Sequence, residues 1–169
     1  TWDAFHFLII FCNHNPGAGL EIYVLRDTLT NCKDYTLKDF IGVLSECDLL
    51  HEAKLSNPQK PDFKLWGNNI HFRGLDDEEK TEGYPSDILF FNELLEIKKR
   101  SFNGLKMRCR KLIIADWNPK LTNHWAFDME SNPDCFFTHT TYKNNKHLQQ
   151  SIVKEIEGYE PTEENIRNK

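Results

Sequence analysis

A continuous apolar run at residues 88–91 is the clearest pattern along the chain. It follows a Pro-Ser turn and ends on Asn92 and Glu93. A short apolar run bounded by turn signals is typical of a strand that is covered on both faces, as in a parallel sheet. In open α/β sheets, ligands lie beyond the carboxyl ends of such strands. The pattern therefore predicts a buried strand that delivers Asn92 and Glu93 to a ligand. The alternative is an ordinary strand whose last residue faces solvent.

Other apolar segments predict further strands on both sides of this run. Three of them are residues 20–25, which are followed by Arg26, residues 111–116 and residues 135–142. Residues 62–73 alternate between apolar and polar positions on both sides of a Gly-Asn-Asn cluster, which predicts a hairpin.

Helical spacing of apolar residues predicts four helices between and after these strands. Residues 2–12 are apolar enough to predict a helix that is buried nearly all round. Residues 34–50 keep one apolar face at helical spacing, a further helix follows Glu93, and residues 148–159 predict a closing amphipathic helix. Helices between strands predict an α/β fold with a mainly parallel sheet flanked by helices.

Length and composition limit the classes of protein that fit. The chain has 169 residues, of which 39% are hydrophobic and 28% are charged. These values predict one globular domain over residues 1–160, followed by a polar tail or linker at residues 161–169. No apolar segment approaches the roughly 20 residues that cross a bilayer, so no membrane association is expected.

Cysteine and histidine spacing bears on metal sites and compartment. The five cysteines have no paired spacing and the seven histidines have no zinc-type spacing. Free thiols in a reducing, cytosolic setting are expected, and a zinc site is not expected.

A local basic cluster contrasts with the net charge of −5. The net charge argues against nucleic-acid binding by bulk electrostatics. Residues 98–111 nevertheless contain no acidic residue and seven cations, namely Lys98, Lys99, Arg100, Lys106, Arg108, Arg110 and Lys111. The cluster is either a DNA-binding surface, with Lys98, Lys99 and Arg100 as its first members, or a solvated helix face.

Four stretches in register resemble one known family. They are F-R-G-L-D-D at residues 72–77, the strand that ends on Asn92 and Glu93, D-W-N-P at residues 116–119, and T-T-Y-K-N-N at residues 140–145. Together they resemble the ATPase domain of the large terminase subunit of tailed bacteriophages. The resemblance implies a P-loop NTPase fold, ATP and Mg²⁺ as cofactors, and a motor that drives double-stranded DNA into the procapsid.

The resemblance also implies roles for individual residues. Glu93 matches the Walker B glutamate that aligns water for attack on the γ-phosphate. Asn92 occupies the position where many relatives have Asp, and its carbonyl is expected to hold a Mg²⁺-bound water instead. Asn118 matches the residue that senses the γ-phosphate. Lys80 and Arg73 are the nearest cations for a residue that acts on a neighbouring subunit's nucleotide.

The family's phosphate loop, G-x-x-x-x-G-K-[ST], lies directly before the first helix. Thr1 occupies the place of its final hydroxyl residue, and Arg26 is expected on the nucleotide side of the site. The chain contains neither the glycines nor the lysine of that loop. Without them we expect the 169-residue chain to show negligible ATPase activity. The alternative is that Thr1 is simply the N-cap of the first helix.

Partners and competing functions follow from the same resemblance. It implies double-stranded DNA, a portal protein and a small terminase subunit as partners, a homo-oligomeric ring, and the host cytoplasm as location. One alternative is a catalytically inactive, P-loop-like module for DNA binding or assembly, to which the amide of Asn92 and the absent loop both point. Another is a helicase-type P-loop protein, which would lack the F-R-G-L-D-D and D-W-N-P stretches.

Overall fold

A mixed β-sheet forms the centre of the first of two compact units in the chain. The units are Thr1–Trp117 and Asn118–Lys169. The computed structural model describes residues 1–57, 60–76, 85–118, 121, 123–144 and 148–158. In these residues the sheet has six strands: β1 (Glu21–Arg26), β2 (Lys54–Asn57), β3 (Asp62–Leu65), β4 (Asn68–Gly74), β5 (Ser86–Phe91) and β6 (Cys109–Ala115).

The strand order β2-β3-β4-β1-β5-β6 puts four parallel strands side by side. Strand β1 pairs in parallel with β4 and with β5, and β5 pairs in parallel with β6. All six residues of β5 are buried, as its apolar sequence predicts. The predicted fold class, a mainly parallel sheet flanked by helices, is confirmed. The four parallel strands also end at the same edge of the sheet.

Helix α1 (Trp2–His14) covers one face of the sheet with a single apolar stripe. Its buried residues are Phe5, Leu8, Ile9 and Cys12. The prediction that this helix is buried nearly all round is wrong, because Phe7 and Ile10 are 42% and 56% exposed. Helical geometry turns residues two positions apart to different sides, so an apolar sequence does not guarantee burial of every side.

The second helical region is continuous but irregular. It begins with the short helix α2 (Leu29–Asn31), passes through a π-helical turn at Cys32–Thr36 and continues as α3 (Leu37–Glu46). It therefore starts before the predicted residue 34 and ends before residue 50. The early start follows from Thr28, whose side chain accepts a hydrogen bond from the Asn31 N–H as an N-cap.

The main core is built from aromatic rings between α1, α3 and the sheet. Phe5 lies at its centre, with ring centroids 5.4 Å from Phe40, 6.4 Å from Phe72 and 5.4 Å from Phe90. All four side chains are fully buried. Close aromatic pairs at these distances add to the free energy of burial.

The predicted hairpin is confirmed between β3 and β4, which pair antiparallel. Its turn contains Trp66 at φ 46° and Gly67 at φ 83°. Two consecutive positive φ angles are the conformation that matches the twist of a two-residue hairpin. A side chain at Gly67 would also approach the backbone of Gly17 to 2.9 Å. Strand β2, which the sequence analysis did not predict, pairs with β3 at the edge of the sheet.

A polar network occupies the opposite face of β1, β3 and β4. The ring nitrogens of His71 lie 2.9 Å from Asp62 and 2.7 Å from Glu21, and the Tyr23 ring stacks on the imidazole at 4.6 Å. The guanidinium of Arg73 forms a 2.6 Å ion pair with Asp62. Burial by itself would raise the pKa of Asp62, but the hydrogen bonds from Arg73 and His71 outweigh it and lower that pKa.

The five cysteines are free, as predicted. Cys12 and Cys32 are buried in the core, and burial raises the pKa of their thiols to about 11 and about 12. Both thiols therefore stay protonated at neutral pH and act as small apolar side chains.

The basic cluster spans three kinds of structure. Helix α4 (Lys99–Lys106) carries Lys99, Arg100 and Lys106, whereas Arg110 and Lys111 belong to β6. The sequence predicts that a helix carries the cluster and that a strand begins at Lys111. The helical prediction is wrong for Arg110, whereas Lys111 lies in the predicted strand. Arg110 forms a 2.9 Å ion pair with the buried Asp87.

The second unit contains little regular structure in its described residues. It has 3₁₀ turns at Trp125–Ser131 and Tyr142–Asn144 and the helix α5 (Gln150–Gly158), which confirms the predicted closing helix. The strand predicted at residues 135–142 is wrong, because residues 135–141 have no regular structure. Phe136 is 95% exposed, so its side chain is not part of a buried strand. The predicted tail, residues 161–169, lies outside the described residues.

Truncating a core ring tests the central packing. We expect Phe72→Ala to lower the free energy of unfolding by about 3–5 kcal/mol, because it removes a fully buried ring and leaves a cavity. Urea unfolding followed by circular dichroism measures this change. Phe7→Ala is the matched control, since that ring is 42% exposed. Equal losses in the two variants would contradict the assignment of Phe72 to the core.

The lowered pKa of Asp62 predicts a pH dependence of stability. A carboxylate with a lowered pKa stabilises the folded state above its ordinary pKa of 3.8, and this contribution is lost as the pH falls through the lower folded-state value. Asp62→Asn should therefore destabilise the protein at neutral pH, and the difference from wild type should shrink below about pH 4. Urea unfolding across this range measures the effect. Glu46→Gln alters an exposed acid, so its stability relative to wild type should not change in this way. If the stability difference between Asp62→Asn and wild type stayed constant with pH, the ion pairs of Asp62 would not stabilise the fold.

Candidate functional site

The carboxyl edge of the parallel strands brings together residues that are distant in sequence. In the sheet register Leu25 lies opposite Phe91, and Phe91 lies opposite Ala115. The next residue of each strand or loop therefore reaches the same edge. These residues are Arg26, the last residue of β1, Asn92 after β5 and Asp116 after β6.

Helix α1 adds a fourth residue to this edge from the helical layer. Thr1 precedes the helix, and its side chain makes no capping hydrogen bond. Its hydroxyl instead donates to the carboxylate of Asp116 at 2.7 Å. The N-cap alternative for Thr1 is therefore correct for its position but not for its side chain, which faces the strand ends.

Asp116 connects three other residues at this edge. Its Oδ1 accepts from the Asn92 amide and from the Glu93 backbone N–H, both at 2.9 Å. Its Oδ2 accepts from the Thr1 hydroxyl, and the Thr1 main-chain nitrogen lies 2.8 Å away. The side chain remains 24% exposed. One carboxylate thus holds the ends of β5 and β6 and the start of α1 in register.

Asn92 is buried, at 2% exposure, and its amide is saturated. Its Oδ1 accepts from Arg26 at 2.9 Å and from the Thr36 hydroxyl at 2.6 Å. Its Nδ2 donates to Asp116 at 2.9 Å and to the Thr1 hydroxyl at 3.0 Å. Buried amides need such partners, because each unpaired polar atom costs about 1–3 kcal/mol. Asn92 therefore joins the β1 side of the site to the β6 side.

Arg26 lies at this edge, and the contacts that the structure shows for it are with protein groups. Its guanidinium donates to Asn92 and, at 3.1 Å, to Glu96, and the side chain is 12% exposed. The hydrogen bond from Arg26 fixes the orientation of the Asn92 carbonyl. Its predicted contact with a nucleotide stays a prediction.

Glu93 adopts a left-handed backbone conformation, with φ 55° and ψ 59°. Non-glycine residues rarely adopt this conformation, and those that do are concentrated at functional sites. The backbone N–H of Glu93 donates to Asp116, which supports the conformation. Its side chain is half-buried at the end of β5. The strand therefore ends in a sharp turn that changes the direction of the chain at the predicted catalytic carboxylate.

Two residues of the cluster were missed by the sequence analysis. Thr36 comes from the π-helical turn before α3, and no sequence signal points to it. Asp116 had a signal: it ends an apolar strand in the position that corresponds to Asn92 on the neighbouring strand. Comparing the two strand ends in register would have identified it.

The remaining predicted residues lie elsewhere or are not described. Arg73 is 14% exposed and paired with Asp62, and its predicted action on a neighbouring subunit stays a prediction. Lys80 lies outside the described residues. Asn118 begins the second unit. Lys98, Lys99 and Arg100 are exposed at the start of α4.

No preformed metal cluster or membrane segment is found in the described part of the chain. Its residues contain no group of three or more His, Cys, Asp or Glu that could hold a metal ion. None of its helices is long and apolar enough to span a bilayer. The strand-end cluster does offer oxygen ligands, a hydroxyl at Thr1 and carboxylates at Asp116 and Glu93.

Comparisons with known proteins agree on one family. The model of the family "Phage terminase large subunit" matches residues 10–168. The chain is 27% identical over 170 residues to the PBSX phage terminase large subunit of Bacillus subtilis strain 168, which covers 82% of this chain. The chain spans only 39% of the length of that relative.

Solved structures show the same fold. The large terminase of a thermophilic bacteriophage, in complex with ADP, matches with a TM-score of 0.64 and 15% identity, over 80% of this chain and 36% of that one. The ATPase domain of the large terminase of Thermus phage P74-26 matches with a TM-score of 0.51 and 11% identity, over 75% of this chain and 57% of that one. At these identities the likeness is one of fold. The chain therefore belongs to the phage terminase large subunit family, and its fold is the P-loop fold of the ATPase domains of such proteins.

Proposed function

We propose that this chain is the ATP-hydrolysing part of a motor that drives double-stranded DNA into a phage procapsid. The observation that carries the proposal is the cluster of Thr1, Asn92, Glu93 and Asp116 at the carboxyl edge of the sheet. Ligands of open α/β sheets bind at this edge. The large terminase of the thermophilic bacteriophage, which has a similar fold, was solved in complex with ADP.

The groups at this edge suit a magnesium nucleotide. Mg²⁺ prefers oxygen ligands and is usually held by one or two protein groups together with the phosphates. The Thr1 hydroxyl and the carboxylates nearby match that chemistry, with Thr1 as the hydroxyl that completes a phosphate loop. When bound with ATP, Mg²⁺ would neutralise charge that develops on the phosphates.

Glu93 is the residue for the chemical step. A carboxylate at the end of the central strand can accept a hydrogen bond from the attacking water and orient it. The left-handed backbone at Glu93 and its hydrogen bond to Asp116 hold this residue in one place. Positioning of this kind supplies much of the rate enhancement in phosphoryl transfer.

The basic surface at the start of α4 suits DNA. Lys98, Lys99 and Arg100 are exposed and adjacent, and their charge complements the phosphate backbone. The surface is small, in keeping with a motor that must move along DNA rather than read its sequence.

The further partners belong to the same proposal. A portal protein, a small terminase subunit and a homo-oligomeric ring of this subunit in the host cytoplasm are what a packaging motor of this family requires. Asn118 and the cations Arg73 and Lys80 are proposed as the residues through which hydrolysis would be sensed within and between subunits.

An inactive DNA-binding or assembly module is the second candidate. The observation that favours it is Asn92, a neutral amide at the position where relatives have an acid. Nucleotide hydrolysis separates the two candidates, because only the motor requires turnover at this edge.

Replacing Glu93 tests the motor proposal. The protein for this test is the loop-bearing form, which we define as this chain with a complete G-x-x-x-x-G-K-[ST] loop whose last residue is Thr1. We expect Glu93→Gln to keep ATP affinity, because the loop supplies most of it, and to lower kcat about 100-fold or more, because the amide orients water poorly. Phosphate release with Mg²⁺ and ATP measures kcat, and calorimetry measures affinity.

The controls for this experiment separate catalysis from folding. Glu46→Gln, a distant exposed acid, should leave kcat unchanged. The 169-residue chain without the loop should show negligible hydrolysis. Full turnover by Glu93→Gln would refute the role of Glu93, and the absence of turnover in the loop-bearing form itself would favour the inactive module.

Removing charge from α4 tests the DNA surface. In the loop-bearing form we expect the combined variant Lys98→Ala, Lys99→Ala, Arg100→Ala to weaken duplex binding and to reduce the slope of log K against log salt by up to about 3. Fluorescence anisotropy with a labelled duplex at several salt concentrations measures both quantities.

A matched charge control defines the specificity of that result. Removing Lys38, Lys54 and Lys64, three exposed cations on α3, β2 and β3, changes the net charge by the same amount. It should leave the salt slope nearly unchanged. If both triple variants and the wild type had the same salt slope, the α4 cluster would be a solvated helix face and not a DNA-binding surface.

A further inference from the structure

The amide of Asn92 has only one orientation that satisfies its neighbours. Arg26 can only donate, and it lies 2.9 Å from Oδ1. An ionised Asp116 can only accept, and it lies 2.9 Å from Nδ2. Exchanging the two ends of the amide would place donor against donor and acceptor against acceptor. Asn92 therefore turns its carbonyl towards Arg26 and its NH₂ towards Asp116 and Thr1.

This orientation is unsuited to a metal ligand at position 92. The Asn92 carbonyl is occupied by Arg26 and Thr36. The NH₂ group that faces Thr1 carries partial positive charge, and a cation would be repelled by it. The expectation that the Asn92 carbonyl holds a Mg²⁺-bound water therefore does not agree with the geometry.

The neighbouring strand supplies the missing acid. Asp116 ends β6 directly beside Asn92, and its Oδ2 lies 2.7 Å from the Thr1 hydroxyl. Its side chain is 24% exposed, whereas Asn92 is 2% exposed. In P-loop NTPases the Mg²⁺ is held by the loop Ser or Thr and by an acid at a strand end. Two described residues from the strand ends contact the Thr1 hydroxyl, Asn92 and Asp116, and of this pair Asp116 is the acid.

We propose that Asp116 supplies the carboxylate that faces Mg²⁺ in this protein, and that Asn92 is a positioning residue that holds Asp116 against Thr1. In this arrangement the acid lies at the end of β6 and the amide at the end of β5. The inference rests on the proposed function, since it assigns a residue of the same nucleotide site.

Electrostatic repulsion explains why one of positions 92 and 116 carries an amide while the other carries an acid. Two carboxylates at positions 92 and 116 would face each other at about 3 Å, where like charges cannot both stay ionised without a large cost. One acid and one amide avoid that repulsion and gain a hydrogen bond. An acid at position 92 would require an amide at position 116, so the two positions are coupled.

The first experiment tests the coupling in the 169-residue chain without nucleotide. We expect Asn92→Asp and Asp116→Asn each to lower Tm by about 4 °C or more. The exchanged variant, which carries both changes, should regain at least half of the summed loss, because it restores one acid and one amide in contact. Differential scanning calorimetry at neutral pH measures Tm. Additive losses in the exchanged variant would overturn the coupling.

The second experiment measures the metal directly in the loop-bearing form. The probe is Mn²⁺ added to the protein with ADP, followed by electron paramagnetic resonance. We expect Asp116→Asn to weaken Mn²⁺ binding by at least about tenfold, at a temperature where calorimetry shows the variant to be folded. Asp87→Asn is the matched control, since it neutralises a buried acid on β5 that lies at the strand's other end, and it should leave Mn²⁺ affinity unchanged.

The outcomes distinguish this inference from the proposed function. If the wild-type loop-bearing form does not bind Mn²⁺ with ADP, the nucleotide site itself is refuted and the inference fails with it. If wild type binds and Asp116→Asn binds equally well, only the assignment of Asp116 fails. A loss shared equally by Asp116→Asn and Asp87→Asn would assign Asp116 a structural role alone and would also overturn the inference.

Discussion

The burial of β5 on both faces is the constraint on which the rest of this structure depends. All six residues of the strand are buried, so the chain can expose polar groups only where the strand ends. Parallel neighbours on both sides end at the same edge, which collects their polar residues there. Close packing around Phe5 and Phe90 fixes the strand against α1. The position of the site is therefore a consequence of how the core packs.

Polar groups gathered at a partly buried edge must satisfy one another. Arg26, Asn92, Asp116 and Thr1 form a chain in which each acceptor faces a donor. Such networks are stabilising when complete and costly when one member is changed, because the remaining groups are left buried and unpaired. The same hydrogen bonds that stabilise the fold thus fix the relative positions of the side chains at the proposed site.

Much of the fold could be predicted from the sequence, and particular residues show where the rest could not. The strands at residues 88–91 and 20–25 were predictable because short apolar runs between turn signals are typical of buried strands. The stretch at residues 135–141 also begins with apolar residues, but it forms no regular structure, because strand formation depends on contacts that a local pattern does not contain. The prediction that α1 is buried nearly all round was wrong for a related reason, since composition does not reveal how many sides of a helix are covered.

The site was predictable as far as each strand could be considered alone. Glu93 and Asn92 were identified from the end of one strand, and Thr1 and Arg26 also reach the edge. Asp116 and Thr36 could not be found in that way, because their importance comes from contacts across 24 and 56 residues of sequence. The interpretation of Asn92 changes for the same reason, because its role depends on a contact with the neighbouring strand. Considered alone, Asn92 is a neutral residue at an expected acidic position; beside Asp116, it donates a hydrogen bond to the carboxylate of the neighbouring strand. A neutral residue at an expected acidic position therefore indicates an inactive site only if no adjacent strand supplies the charge.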